Sequence, residues 1–78
     1  MPKLPILKLR EVCRALDKAG FQFIRQHGTS HMTYMKIGDD GRKYVVTVPH
    51  YPEIDRVVLI SIIKQSGMSR EEFLKLAG

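Results

Sequence analysis

Arg25-Gln26-His27-Gly28-Thr29-Ser30-His31-Met32-Thr33-Tyr34-Met35 is the stretch on which the fold turns. It reads as the end of one strand, a tight polar turn, and a second strand with a histidine at its mouth. Gly28 permits a close backbone approach, and Thr29 and Ser30 add hydroxyls and backbone donors. Arg25 adds fixed positive charge, and a histidine at such a turn can move protons near neutral pH. Together these groups suit an anionic, phosphate-bearing substrate. Gly-Thr-Ser is equally an ordinary hairpin turn, and a histidine beside it is equally a solvated side chain.

Upstream of the turn, Phe21-Gln22-Phe23-Ile24-Arg25-Gln26 is aromatic and β-branched enough for a strand. Downstream, Met32 to Ile37 forms a second strand, and Gly38-Asp39-Asp40-Gly41 is a strong turn signal. Lys43 to Val48 is the clearest strand, ended by Pro49. In it Tyr44, Val46 and Val48 make the more apolar face, and Lys43, Val45 and Thr47 the other. The second strand has no clean parity, which leaves Tyr34 open between core and substrate.

Helices flank this meander. After an extended lead-in marked by Pro2 and Pro5, Leu9, Val12, Cys13, Leu16 and Ala19 recur at helical spacing, and Gly20 is a natural stop. Cys13 reads as inert core packing. His50 to Glu53 reads as a loop. A second helix runs from about Asp55 to Ser66, rich in Val and Ile, with Gly67 as its stop. Ser69 and Glu72 form a capping box leading into a short final helical turn with Phe73, Leu74 and Leu76. The expected class is therefore α+β: an α-β-β-β-α order like that of double-stranded-RNA-binding domains, with a three-stranded antiparallel sheet and its helices on one face.

Composition narrows the functional classes. The 78 residues read as a single domain, 1–78, near the lower size limit for a self-sufficient core. A net charge of +5 favours a polyanionic partner or simply serves solubility. With one cysteine, no internal disulfide is expected. The chain shows neither a membrane-length apolar run nor a signal-peptide h-region, so no membrane association is expected and the cytoplasm is the expected compartment. No carboxylate pair or Cys/His cluster has metal-ligand spacing. His27 and His31 are four apart, but Gly28 and the flanking strands argue against a shared helical face. Neither a metal nor a small-molecule cofactor is expected.

Pieces that resemble one known family run in order along nearly the whole chain. They are Leu16-Asp17-Lys18-Ala19-Gly20-Phe21, Arg25-Gln26, Gly28-Thr29-Ser30-His31, Gly41-Arg42, Val46-Thr47-Val48-Pro49 and Ile63-Lys64-Gln65-Ser66-Gly67-Met68-Ser69. The chain resembles the HicA toxins, or YcfA-like proteins, of bacterial toxin–antitoxin systems. The resemblance implies a small mRNA interferase that cleaves mRNA without a metal and is silenced by a HicB-like antitoxin. It also implies that the histidine after the glycine-containing turn, here His31, is catalytic. The family often has a histidine two residues after the Val-Pro pair, where this chain has Tyr51. His50 stands one place earlier, and no role passes to either. Ile60 replaces a basic residue common at that point of the second helix.

On this reading RNA supplies its own 2′-hydroxyl as nucleophile, and His31 acts as general acid or base. Arg25, Lys36, Arg42 and Lys43 are candidates for neutralising the phosphate, with Gly28, Thr29 and Ser30 contacting the RNA from the turn. His27 and Tyr34 are candidates for a second proton-transfer group. The alternative is a non-catalytic RNA-binding module. Arg10, Arg14 and Lys18, at i, i+4 and i+8, would set a basic stripe of the first helix against duplex RNA. A third reading is a protein-interaction subunit with incidental RNA binding.

Overall fold

A computed structural model describes residues 4–27 and 31–78, with Gln26 and His27 described in backbone only. The order is β1 (Leu7–Lys8), α1 (Leu9–Lys18), β2 (Gln22–His27), β3 (His31–Ile37), β4 (Lys43–Pro49), β5 (Glu53–Ile54), α2 (Arg56–Ser66) and α3 (Arg70–Ala77). The expected α+β class with its central antiparallel meander β2-β3-β4 is what the chain forms.

Helix ends follow local chemistry. The Lys8 backbone N–H donates to the Glu11 carboxylate at 2.9 Å, which sets the start of α1. The Asp55 carboxylate accepts the Val58 N–H at 2.9 Å, and the Ser69 hydroxyl accepts the Glu72 N–H at 3.1 Å. Gly67 ends α2 at φ 75°, a left-handed conformation that disfavours any Cβ.

The sheet has two unlike faces. On β3 and β4, Met32 pairs with Val48 and Tyr34 with Val46, and all four are buried. They join one core with Val12 and Leu16 of α1, Leu59, Ile62 and Ile63 of α2, and Phe73 of α3. The alternate pairs, His31 with Pro49, Thr33 with Thr47 and Met35 with Val45, share the other face. Apart from Pro49, no residue of these pairs is buried.

Two sequence expectations need correction, and one open question is settled. The final segment is a full helix of eight residues. It packs mainly against α1 and buries Phe73 completely. The loop expected at His50 to Glu53 ends in a strand, because Glu53 and Ile54 pair with Lys8 and Leu7. The parity of β3 also resolves: its even positions face the core, so Tyr34 is a core residue. Among the described residues, no helix is long and apolar enough to cross a membrane.

Candidate functional site

His31 opens β3 on the open face, and its side chain is exposed. Its nearest cation by register is Arg25, placed by an irregularity in the neighbouring strand. Phe23 pairs with Tyr34, but Arg25 pairs with Thr33, so Ile24 is an extra residue in β2. That bulge shifts the alternation by one. In an unbroken register Arg25 would oppose Met32 and belong to the core face. The bulge instead puts Arg25 opposite Thr33, as the diagonal neighbour of His31 at roughly 7–8 Å between backbones. An arginine side chain spans that gap, so imidazole and guanidinium can meet one phosphate group between them.

The other candidates are distributed unevenly. Gly28, Thr29 and Ser30 lie outside the described residues. Lys43 shares the open face but sits six residues along the sheet from the His31 end, on the order of 20 Å away. Arg42 is exposed in the turn before β4, its backbone N–H donating to Asp40 at 2.9 Å. Lys36 is on the helix-covered face, its ammonium 5.8 Å from the centre of the Phe21 ring, a cation–π arrangement. The residues grouped from sequence thus separate into a His31–Arg25 pair at one end of the sheet and Lys36, Arg42 and Lys43 at the other.

The two candidate second groups also divide. The His27 backbone pairs directly with His31, and its side chain lies outside the described residues. Tyr34 points into the core against Phe23, ring centres 5.6 Å apart and edge-on. Burial holds the Tyr34 phenol well above its ordinary range, reinforced by a hydrogen bond with Cys13 and by the charges of Cys13 and Asp17. A phenol held neutral on the opposite face has no part in proton transfer at His31.

Several residues to which the sequence reading gave no role line a groove beside His31. It is about 410 Å³ and runs between β4 and α2, with Tyr51, Val58, Ser61 and Gln65 among its walls. A polar bond fixes its geometry: the Thr47 N–H, on the free edge of β4, donates to Gln65 Oε1 at 2.9 Å. The four-residue spacing of Val57, Ser61 and Gln65 along α2 is the only trace of this face in the sequence. A larger groove of about 700 Å³, lined by Cys13, Asp17, Phe23 and Tyr34, opens between α1 and β2 on the helix side of the sheet. Among the described residues, no cluster of three or more His, Cys, Asp or Glu is placed to hold a metal ion.

Comparison with known families finds one match over residues 9–68, to a family described as the HicA toxin of bacterial toxin–antitoxin systems. The matched span runs from the start of α1 to just past α2, and α3 lies beyond it. No curated protein matches the chain.

Proposed function

The chain belongs to the HicA toxin family, toxins of bacterial toxin–antitoxin systems, and from that premise we propose that it is a metal-independent mRNA endoribonuclease with His31 as its catalytic acid–base residue. The observation that carries the reading is the placement of Arg25, opposite Thr33, diagonally across from an exposed histidine on the open sheet face. The family is known in general for mRNA interferases, which supplies the substrate class.

The chemistry needs little machinery. His31 takes the proton of a ribose 2′-hydroxyl, and the freed oxygen attacks the adjacent phosphorus. The bond from phosphorus to the 5′-oxygen breaks, and that oxygen leaves with a proton. The products are a 2′,3′-cyclic phosphate and a 5′-hydroxyl. Arg25 neutralises charge developing on the phosphate oxygens. Gly28, Thr29 and Ser30 contact the same phosphate from the turn, and Arg42 and Lys43 hold the strand farther along. The placement of Lys36 over the Phe21 ring favours its RNA contact least. His27, whose backbone pairs with that of His31, is the residue we assign to protonate the leaving oxygen.

The family implies an antitoxin partner. The partner we propose is HicB-like and acidic, covering His31 and competing with RNA for Arg25, Arg42 and Lys43. Complementary charge would speed encounter, and burial at the interface would set the lifetime. Action on mRNA puts the working compartment in the cytoplasm.

The test is the chemistry of the ends. Purified protein incubated with single-stranded RNA in excess chelator should yield cyclic-phosphate and 5′-hydroxyl termini. Products bearing 5′-phosphates, or cleavage that needs an added divalent ion, would refute the mechanism. The alternative, a duplex-RNA binder without catalysis, draws on the exposure of Arg10, Arg14 and Lys18 along α1. It predicts retarded duplex RNA and no cut strands.

A further inference from the structure

We infer that the groove between β4 and α2 is a nucleobase subsite, taking one unpaired base of a single-stranded RNA next to the phosphate held at His31. The inference rests on the RNA-cleavage reading for its substrate, but its own observations are separate. At about 410 Å³ the groove falls in the range of about 300–1,000 Å³ usual for small-ligand sites. His31 forms part of its wall, so an occupant lies beside the histidine.

The character of the lining selects the occupant. Among the described residues that form it, none is Lys, Arg, Asp or Glu. A phosphate would find no fixed countercharge there, whereas a neutral heteroaromatic ring would find matching surfaces. Tyr51 offers an aromatic face, and the residue is 53% exposed, so it is available to stack. Val58 and Pro49 supply apolar surface, and Ser61 supplies a hydroxyl.

Gln65 supplies direction. Its Oε1 accepts the Thr47 N–H at 2.9 Å. An N–H donor requires the oxygen there, so the amide orientation is settled by chemistry, and the two Nε2 hydrogens remain as donors. The side chain is tethered before any ligand arrives. A base that presents an acceptor on its edge can therefore be read without the entropy cost of ordering a long side chain. Division of labour follows: Arg25 and His31 meet the phosphate, Tyr51 stacks the base, and Gln65 reads its edge. An unpaired base can enter such a groove, whereas a base stacked within a duplex cannot, so the subsite predicts a single-strand preference.

The experiment uses the full chain carrying His31→Ala to prevent cutting. It titrates two probes: a short mixed-sequence single-stranded RNA, and a strand of equal length with abasic sugars throughout. The base-bearing strand should bind more tightly. Tyr51→Ala should weaken it by about ten- to a hundred-fold, the usual loss of one stacked base, while leaving abasic-strand binding unchanged. Tyr51→Phe should bind like the parent. Gln65→Glu keeps an oxygen for the Thr47 N–H but replaces the amide donors with a negative charge, and should weaken the base-bearing strand more than the abasic one. Thermal melts of each variant should match the parent. Equal affinity of Tyr51→Ala and parent for the base-bearing strand would overturn the subsite, and so would equal losses on both probes. Cleavage by the chain with its native His31 is scored separately. Cutting with a Tyr51-independent affinity overturns the subsite alone, and Tyr51-dependent binding without any cutting overturns the nuclease reading alone.

Discussion

Replacing Gly67 with alanine probes the joint that holds α2 against the sheet. Two separate penalties arise there. The backbone sits at φ 75°, where a Cβ costs about 1–2 kcal/mol. That Cβ would also stand 2.7 Å from Tyr44 Cε1, closer than real Cβ contacts allow, and a tight 3.2 Å from Cδ1. Tyr44 is half-buried and packs on the core, so displacing its ring resembles over-packing, at about 1–3 kcal/mol. The total, about 2–5 kcal/mol, is a large part of the roughly 4–12 kcal/mol expected for a chain of this length. Urea unfolding followed by circular dichroism measures it. A double-mutant cycle with Tyr44→Ala separates the parts, since the steric share vanishes with the ring and the backbone share stays. The coupling should be about 1–3 kcal/mol. A Gly67→Ala cost below about 0.5 kcal/mol would put the substitution among neutral surface changes and refute the reasoning. An identical cost in both backgrounds would refute its steric half. Because Gln65 lies two residues before this joint, the variant should also bind single-stranded RNA more weakly at temperatures where it remains folded.

Phe73→Ala should cost about 3–5 kcal/mol by urea unfolding, since the ring is fully buried between α3 and the rest of the core. The Tyr34 phenol ionises less readily folded than unfolded, so its contribution is fully present below the ordinary tyrosine value of 10.0 and is lost as pH rises above it. Unfolding free energies across that range should therefore fall more steeply for the wild type than for Tyr34→Phe. Phosphate contacts should make RNA binding weaken with salt, at a slope of about −0.7 per neutralised phosphate, and Arg25→Ala should make that slope shallower by about one contact. A salt-insensitive affinity would remove the electrostatic part of the account.

Elements backed by several local signals were legible from the chain. The Asp-Asp-Gly turn, the alternation of Val46 and Val48 with Val45 and Thr47, and the glycines at 20 and 67 located the meander and its flanking helices. What escaped depends on partners distant in sequence. Two-residue strands such as Leu7–Lys8 and Glu53–Ile54 are too short to carry a period, and they exist only because each meets the other. The last helix read as a single turn because its worth lies in Phe73 packing within the core. The second strand of the meander had no clean parity because apolar Met35 and Ile37 stand on the open face while Lys36 stands on the helix-covered one, and the bulge at Ile24 in the strand before it left no sequence pattern to read. The extra residue moves Arg25 from the core side to the side of His31. Of the basic residues grouped from sequence, Lys36 falls on the opposite face, while Arg42 and Lys43 are separated from His31 by the length of the sheet. The groove was invisible for a different reason: Tyr51 from a loop and Gln65 from a helix line it together, and Gln65 is held there by the Thr47 backbone N–H, a bond that no side-chain pattern records.

The most direct test of the central claim is the single-turnover rate of RNA cleavage by purified wild type beside His31→Ala, with a thermal melt of each. His31 is exposed at the start of the central strand, so the two proteins should melt alike. Cleavage should fall by about 10²–10⁴-fold, the usual contribution of a positioned acid or base. A variant that cuts RNA at the wild-type rate would contradict the account, whatever else the chain binds.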